Sequence, residues 1–252
     1  PHRRVYGITY SAREGLLGGW AEALWMRPGV HMLRLPNGLD AETFIGGGCG
    51  LVTAMHAVER AGLRLGQSAV ILGAGPVGQS AIALAALGGA DPVIAIGAPA
   101  PRLDFGRRMG ATNVLDLEMP HPERVAAVRA LTGGRGADIV IEAAGAPEAV
   151  PQALDLVRDG GRVVVCGQYT DGGPATINPH SQVNRKHIEV HGCWGSDFSH
   201  LYRAVHIASR HANHVPWREM IGARFGLGQA NEALAAVANR EVTKAVIVPG
   251  SD

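Results

Sequence analysis

From residue 68 onward the sequence keeps one rhythm. Short apolar runs recur: "SAVILG" (68–73), "PVIAIG" (92–97), "TNVLDL" (112–117), "GADIVIEAAG" (136–145), "GRVVVCG" (161–167) and "HIEVHGCWG" (187–195). Between them lie helix-type segments over 76–89, 100–110, 121–134 and 146–161, each closed by glycine. Runs that are apolar along their whole length suit strands covered on both faces of a parallel sheet. Six such strands with helical crossovers predict an α/β fold built on a doubly wound, parallel, six-stranded sheet. No internal repeat or low-complexity tract interrupts it.

The rest is less regular. Residues 1–45 are turn-rich, and "VYGITY" and "HMLRLP" read as irregular strands. Leu51, Val52, Met55, Val58 and Leu63 have the three-and-four spacing of a helix over 49–63. Residues 198–213 predict one more helix, and 216–252 a mixed tail ending in the strand "KAVIVP". Residues 69–90 carry no charge and are long enough to span a bilayer. Gly73, Gly75, Pro76 and Gly78 near their start make strand–turn–helix the better reading.

A formal net charge of +1 leaves no electrostatic footprint for nucleic acid or an anionic membrane. The three cysteines, Cys49, Cys166 and Cys193, form no CxxC pair, and no signal-type segment opens the sequence. That pattern predicts a reducing, cytoplasmic setting.

The first strand runs into Gly73-Ala74-Gly75-Pro76-Val77-Gly78. In a GxGxxG turn the first glycine allows the tight bend, the second lets backbone approach a pyrophosphate, and the third lets the helix pack on the sheet. The helix N-terminus adds N–H groups and a positive dipole end. Such a turn also occurs as a purely structural element. At the head of this alternation it points to dinucleotide binding. NAD sites usually end the second strand with a carboxylate for the adenosine ribose. Here that strand ends at Gly97 with no carboxylate, which makes NADP possible, but no Arg or Lys directly follows Gly97 to read a 2′-phosphate, so NAD is expected, with Arg102 in reach of either.

No tyrosine has lysine four residues later, and neither GxSxG nor HExxH occurs. His211/His214 and His187/His191 read as structural or solvated pairs. Cys49 stands among glycines in "FIGGGCGLVTAMH" (44–56), as either a metal ligand or a packing thiol.

As an ordered set, "GGWAEALWM" (18–26), "GGGCGLVTAMHAV" (46–58), "VILGAGPVGQSAIALAALGGA" (70–90), "GADIVIEAAG", "GGRVVVCG" (160–167), "VHGCWGS" (190–196) and "VTKAVIVP" (242–249) resemble the zinc-dependent medium-chain alcohol dehydrogenase family. The resemblance runs from about residue 5 to 249. It implies a Rossmann-type cofactor domain over 51–195, with 1–50 and 196–252 as remnants of a GroES-like β-barrel catalytic domain. It implies an oxidoreductase that moves hydride between a small secondary or cyclic alcohol, or its ketone, and NAD(P).

By position, Cys49 resembles the third protein ligand of a catalytic zinc, and Thr53 the hydroxyl residue beside the nicotinamide ribose. Gly73, Gly75, Pro76, Val77 and Gly78 fall on the phosphate turn, with Val77 behind the nicotinamide ring. Gly97 and Arg102 fall on the adenosine side. Ala143, Cys166, Gly167, Cys193 and Gly195 fall where backbone meets the nicotinamide, so Cys166 and Cys193 read as packing thiols. Lys244 resembles the basic residue that reaches the pyrophosphate. Gln168 and Trp194 fall in the substrate pocket, although Trp194 also suits a core.

No cysteine precedes Cys49, and the family's other catalytic zinc ligands and four structural-zinc cysteines are missing. The expectation is therefore a truncated chain, inactive alone, whose zinc belongs to a longer enzyme. The family also implies a homodimer or homotetramer. The competing readings are a zinc-free quinone or enone reductase of the same superfamily and a non-catalytic NAD(P)-binding module.

Overall fold

The structure, a computed structural model, describes residues 6, 10, 12–15 and 17–250. The chain forms two compact units, one of residues 35–219, the other of residues up to 34 together with 220 onward.

In the larger unit the expected alternation is present. It runs α1 (Ala41–Ala61), β1 (Ala69–Leu72), α2 (Pro76–Leu87), β2 (Val93–Gly97), α3 (Ala100–Arg108), β3 (Asn113–Asp116), α4 (His121–Leu131), β4 (Ala137–Glu142), α5 (Ala149–Leu156), β5 (Val157–Val165), β6 (Glu189–Gly192) and α6 (Phe198–Arg210). The strands form one six-stranded sheet in the order β3-β2-β1-β4-β5-β6, every neighbouring pair parallel. Burial explains the apolar runs. All residues of β1 and β2 are buried, and Val70, Leu72, Ile94, Ile96, Val140 and Val163 share one core cluster. Each such side chain stabilises the fold by about 1.5–3 kcal/mol relative to exposure.

The uncharged stretch 69–90 resolves into β1, a turn and α2, and no helix among the described residues is long and apolar enough to cross a membrane.

Two boundaries differ most from the sequence expectation. The helix expected over 146–161 stops at Leu156, because Val157 already pairs with Ala137 of β4. Arg158 is held there by an ion pair from its Nε to Asp138 (2.6 Å). The helix expected from residue 49 begins at Ala41 instead, with Asp40 capping it by accepting the Thr43 N–H (3.1 Å). Glycines are poor helix formers, so the run 46–48 hides this start. Packing restores it: a Cβ on Gly47 would lie 3.3 Å from the Trp217 ring, and Gly46 sits against the Trp217 carbonyl. Gly48, at φ 49° and ψ −139°, kinks the helix just before Cys49.

In the smaller unit β7 (Ile221–Phe225) pairs in parallel with β8 (Lys244–Ile247), and α7 (Ala230–Ala238) connects them. The final strand matches "KAVIVP", while β7 and α7 were hidden in the mixed tail. "VYGITY" lies mostly outside the described residues. "HMLRLP" forms no strand, because a strand needs a partner for its backbone groups and no described segment pairs with it.

Candidate dinucleotide site at the strand switch point

β1 and β4 are neighbours in the sheet but not in the chain, so the strand order reverses between them. Ligands of open α/β sheets bind in the crevice at that point, beyond the carboxyl ends of the strands. The turns leaving β1 and β4 meet there. Gly73 has φ 123°, and a Cβ on it would stand 2.6 Å from the carbonyl carbon of Ala143. Gly78 lies against the Gly73 carbonyl oxygen, and a Cβ on Gly97 would stand 2.5 Å from that of Ala74. Three positions are thus kept bare by neighbouring protein. Gly75 differs, since a Cβ there would meet nothing within 4 Å. Gly75 is the N-cap of α2, no side chain caps the helix, and Pro76 opens its first turn. The result is an open cradle at a helix N-terminus, which suits an anion.

α1 brings a second surface to this turn. A Cβ on Gly50 would lie 3.1 Å from the Pro76 carbonyl, so α1 touches the start of α2. Cys49 precedes Gly50, and Thr53 follows Cys49 by one helical turn on the same face. Cys49 is exposed. Cys166 and Cys193 are buried free thiols at the ends of β5 and β6. Burial pushes the Cys166 thiol far above its usual range, and that of Cys193 up to about 11. Both stay protonated at neutral pH and are poor nucleophiles. Gly195, at φ 70°, accepts a hydrogen bond from His56 Nδ1 (2.7 Å).

Arg102 lies in the first turn of α3, where its carbonyl accepts from Gln79 Nε2 (2.7 Å). Gln168 donates to the Ala146 carbonyl (2.9 Å) and lines a groove of about 400 Å³ with Pro147, Val150 and Tyr169. Trp194 donates to the Tyr169 carbonyl (2.9 Å) and is 58% exposed, so it is not a core residue. Lys244 opens β8 of the smaller unit. The histidine pairs stay apart in role. His191 bonds the Arg60 carbonyl and Glu189, His187 is an exposed turn residue, and His211 and His214 sit in the turn after α6.

Sequence reasoning missed Glu142. It ends β4 fully buried, and its carboxylate accepts the N–H groups of Ala144 (2.7 Å), Gly145 (2.8 Å) and Gly167 (3.1 Å). The available signal was an acid closing the apolar run "IVI" (139–141).

The sequence profile of the family described as zinc-binding dehydrogenase matches residues 76–210, more than half of the chain. The chain belongs to the zinc-binding dehydrogenase family. It is 34% identical over 232 residues to 5-exo-hydroxycamphor dehydrogenase of Pseudomonas putida, covering 91% of this chain and 64% of that one. L-threonine 3-dehydrogenase of Bacillus licheniformis is 31% identical over 199 residues, covering 79% and 56%. The crystal structure of an alcohol dehydrogenase from Thermotoga maritima superposes with a TM-score of 0.91 at 31% identity, over 99% of this chain and 69% of that one. The chain thus spans less than two thirds of the length of the curated relatives named here.

Family membership raises the question of zinc. Among the described residues no group of three His, Cys, Asp or Glu side chains is placed to hold a metal ion. Cys49 by itself does not make a catalytic zinc site, which takes three protein ligands.

Proposed function

We propose that this chain forms the dinucleotide-binding part of an NAD(P)-dependent alcohol dehydrogenase acting on a secondary or cyclic alcohol and its ketone. Gly75 carries this reading: it is open to solvent at the uncapped N-terminus of α2, on the switch point of the sheet. The pyrophosphate would rest on the first amides of α2, those of Val77 and Gly78 among them, favoured by the helix dipole. Gly97 and Arg102 would face the adenosine. Thr53, Val77, Ala143, Gly167 and the backbone of Cys166, Cys193 and Gly195 would surround the nicotinamide. The bound cofactor supplies the hydride acceptor, while the protein orients it.

NAD is the cofactor favoured, because no Arg or Lys directly follows Gly97 to hold a 2′-phosphate, and NADP is the alternative. β2 ends at Gly97 with no carboxylate to repel a 2′-phosphate, and a related Sinorhizobium meliloti protein, 28% identical, was solved bound to NADP. The substrate class is supported by the Pseudomonas relative, whose name gives a hydroxylated camphor, a cyclic alcohol. Gln168 and Trp194 would line the alcohol pocket, and Cys49 would offer one ligand to a zinc completed from outside the described residues. Two buried free thiols suit a cytoplasmic setting. The β6 edge of the sheet, with Val190 exposed, is a surface on which a homodimer or homotetramer would assemble.

The decisive test is Gly75→Ala. The added methyl group has room, so the fold should be unchanged by circular dichroism. It would occupy the cradle, and NADH and NADPH affinity should fall about tenfold or more, the equivalent of one charge-assisted hydrogen bond. Unchanged affinity in the folded variant would overturn the reading.

A further inference from the structure

Glu142 is 0% exposed, and its charge is met by backbone amides. Burying a carboxylate is costly unless its oxygens are hydrogen-bonded. Here Oε1 takes the N–H groups of Ala144 and Gly145, and Oε2 takes that of Gly167. The carbonyl of the same residue accepts from the Cys166 N–H (3.0 Å), the Gly167 N–H (2.9 Å) and the Cys166 thiol (3.0 Å). One side chain and its carbonyl therefore join the turn after β4 to the turn after β5.

The two turns are pressed together. A Cβ on Gly145 would come within 2.9 Å of the Gly167 carbonyl oxygen, and one on Gly167 within 2.5 Å of the Gly145 nitrogen. The same segment is anchored to β1, because Ala143 donates to the Leu72 carbonyl (2.8 Å) and Gly73 packs on Ala143. The Glu142-held turn is thus the β4–β5 wall of the switch-point crevice, facing the Gly73–Gly78 wall.

A doubly wound sheet binds a dinucleotide as two halves, one on each side of the switch point. The adenosine half belongs to the β1-β2-β3 side, whereas the Glu142 carboxylate takes its hydrogen bonds from the turns after β4 and β5. We infer that Glu142 is a positioning residue for the nicotinamide half: its buried carboxylate sets the Ala143–Gly145 and Gly167 backbone that receives it. This rests on the dinucleotide reading above. A carboxylate is required because it is acceptor-only, whereas an amide would turn N–H groups against N–H groups.

The test compares two ligands on the full chain, NADH (or NADPH, whichever the parent binds more tightly) and AMP, which probes the adenosine half alone. Glu142→Gln should weaken the dinucleotide about tenfold or more and leave AMP within about twofold. The fluorescence of the bound reduced nicotinamide should move toward its free value. Glu142→Asp, which keeps the charge but is one methylene short, should show the same split and stands in if the Gln variant does not fold. Equal losses for both ligands, or no loss for either, would overturn the inference, as would failure of both variants to fold. A parent chain that binds neither AMP nor dinucleotide would instead overturn the dinucleotide reading itself, and this inference with it.

Discussion

The two units use apolar residues in opposite ways. In residues 35–219 the central strands are buried residue by residue, and Val70, Ile71, Ile94, Ile96 and Val140 are each at 0% exposure. In the smaller unit β8 is only half-buried throughout, β7 alternates, and the sheet has two strands. There Trp20 is 54% exposed, Trp25 78% and Met32 72%. A central strand with helices on both faces removes its whole surface from water, and a two-stranded sheet cannot. Similar apolar residues therefore contribute most of their transfer energy in one unit and a fraction of it in the other. The functional geometry follows the first case: the phosphate turn is placed by backbone packed against backbone at Gly73, Gly78 and Gly97.

The largest expected contrast is kinetic. Limited proteolysis should cut the smaller unit first and leave a product covering most of 35–219, because sparsely packed regions open locally at low cost. Early cleavage within β1–β6 would break the comparison. Next, Ile94→Ala should cost about 2–5 kcal/mol in urea unfolding, since Ile94 is fully buried. Ile247→Ala on half-buried β8 should cost less than half as much, and equal costs would mean that the smaller unit has a core of comparable density.

A smaller effect comes from Asp138, which accepts from Ser68 (2.7 Å) and pairs with Arg158 (2.6 Å). Burial raises its pKa, but the hydrogen bonds from Arg158 and Ser68 together outweigh burial, so its carboxyl lies below its ordinary value. A lowered carboxylate pKa stabilises the fold above its unfolded value of about 3.9, and the contribution is lost as pH falls through the folded value. Asp138→Asn should therefore cost about 1–3 kcal/mol at pH 7 and flatten the loss of stability below about pH 4. A variant with the parental acid profile would contradict this. The least effect is expected at Trp25: Trp25→Ser should change unfolding free energy by no more than about 0.5 kcal/mol. A larger loss would show that its exposed ring is not idle in the full chain.

Legibility in the sequence follows the same contrast. Six strands, four crossover helices and the phosphate turn could be read because whole-length apolar runs and GxGxxG depend on local pattern. The early start of α1 could not, because its glycines oppose helix and Trp217, far along the chain, restores it. β7 and α7 were obscured because half-buried elements mix polar and apolar residues without a clean period. Glu142 could not be read from the sequence because an acid at a strand end ordinarily faces water, and only the closing of two turns around it makes it a buried acceptor.

By itself, then, the sequence determined the strand–helix alternation and the phosphate turn, since backbone sterics and burial on both faces act over a few residues. Tertiary structure decided which turns meet at the switch point, that Cys49 and Trp194 are exposed, and that Glu142 holds β4 to β5. Those outcomes depend on contacts between residues distant in the chain, which no local pattern encodes.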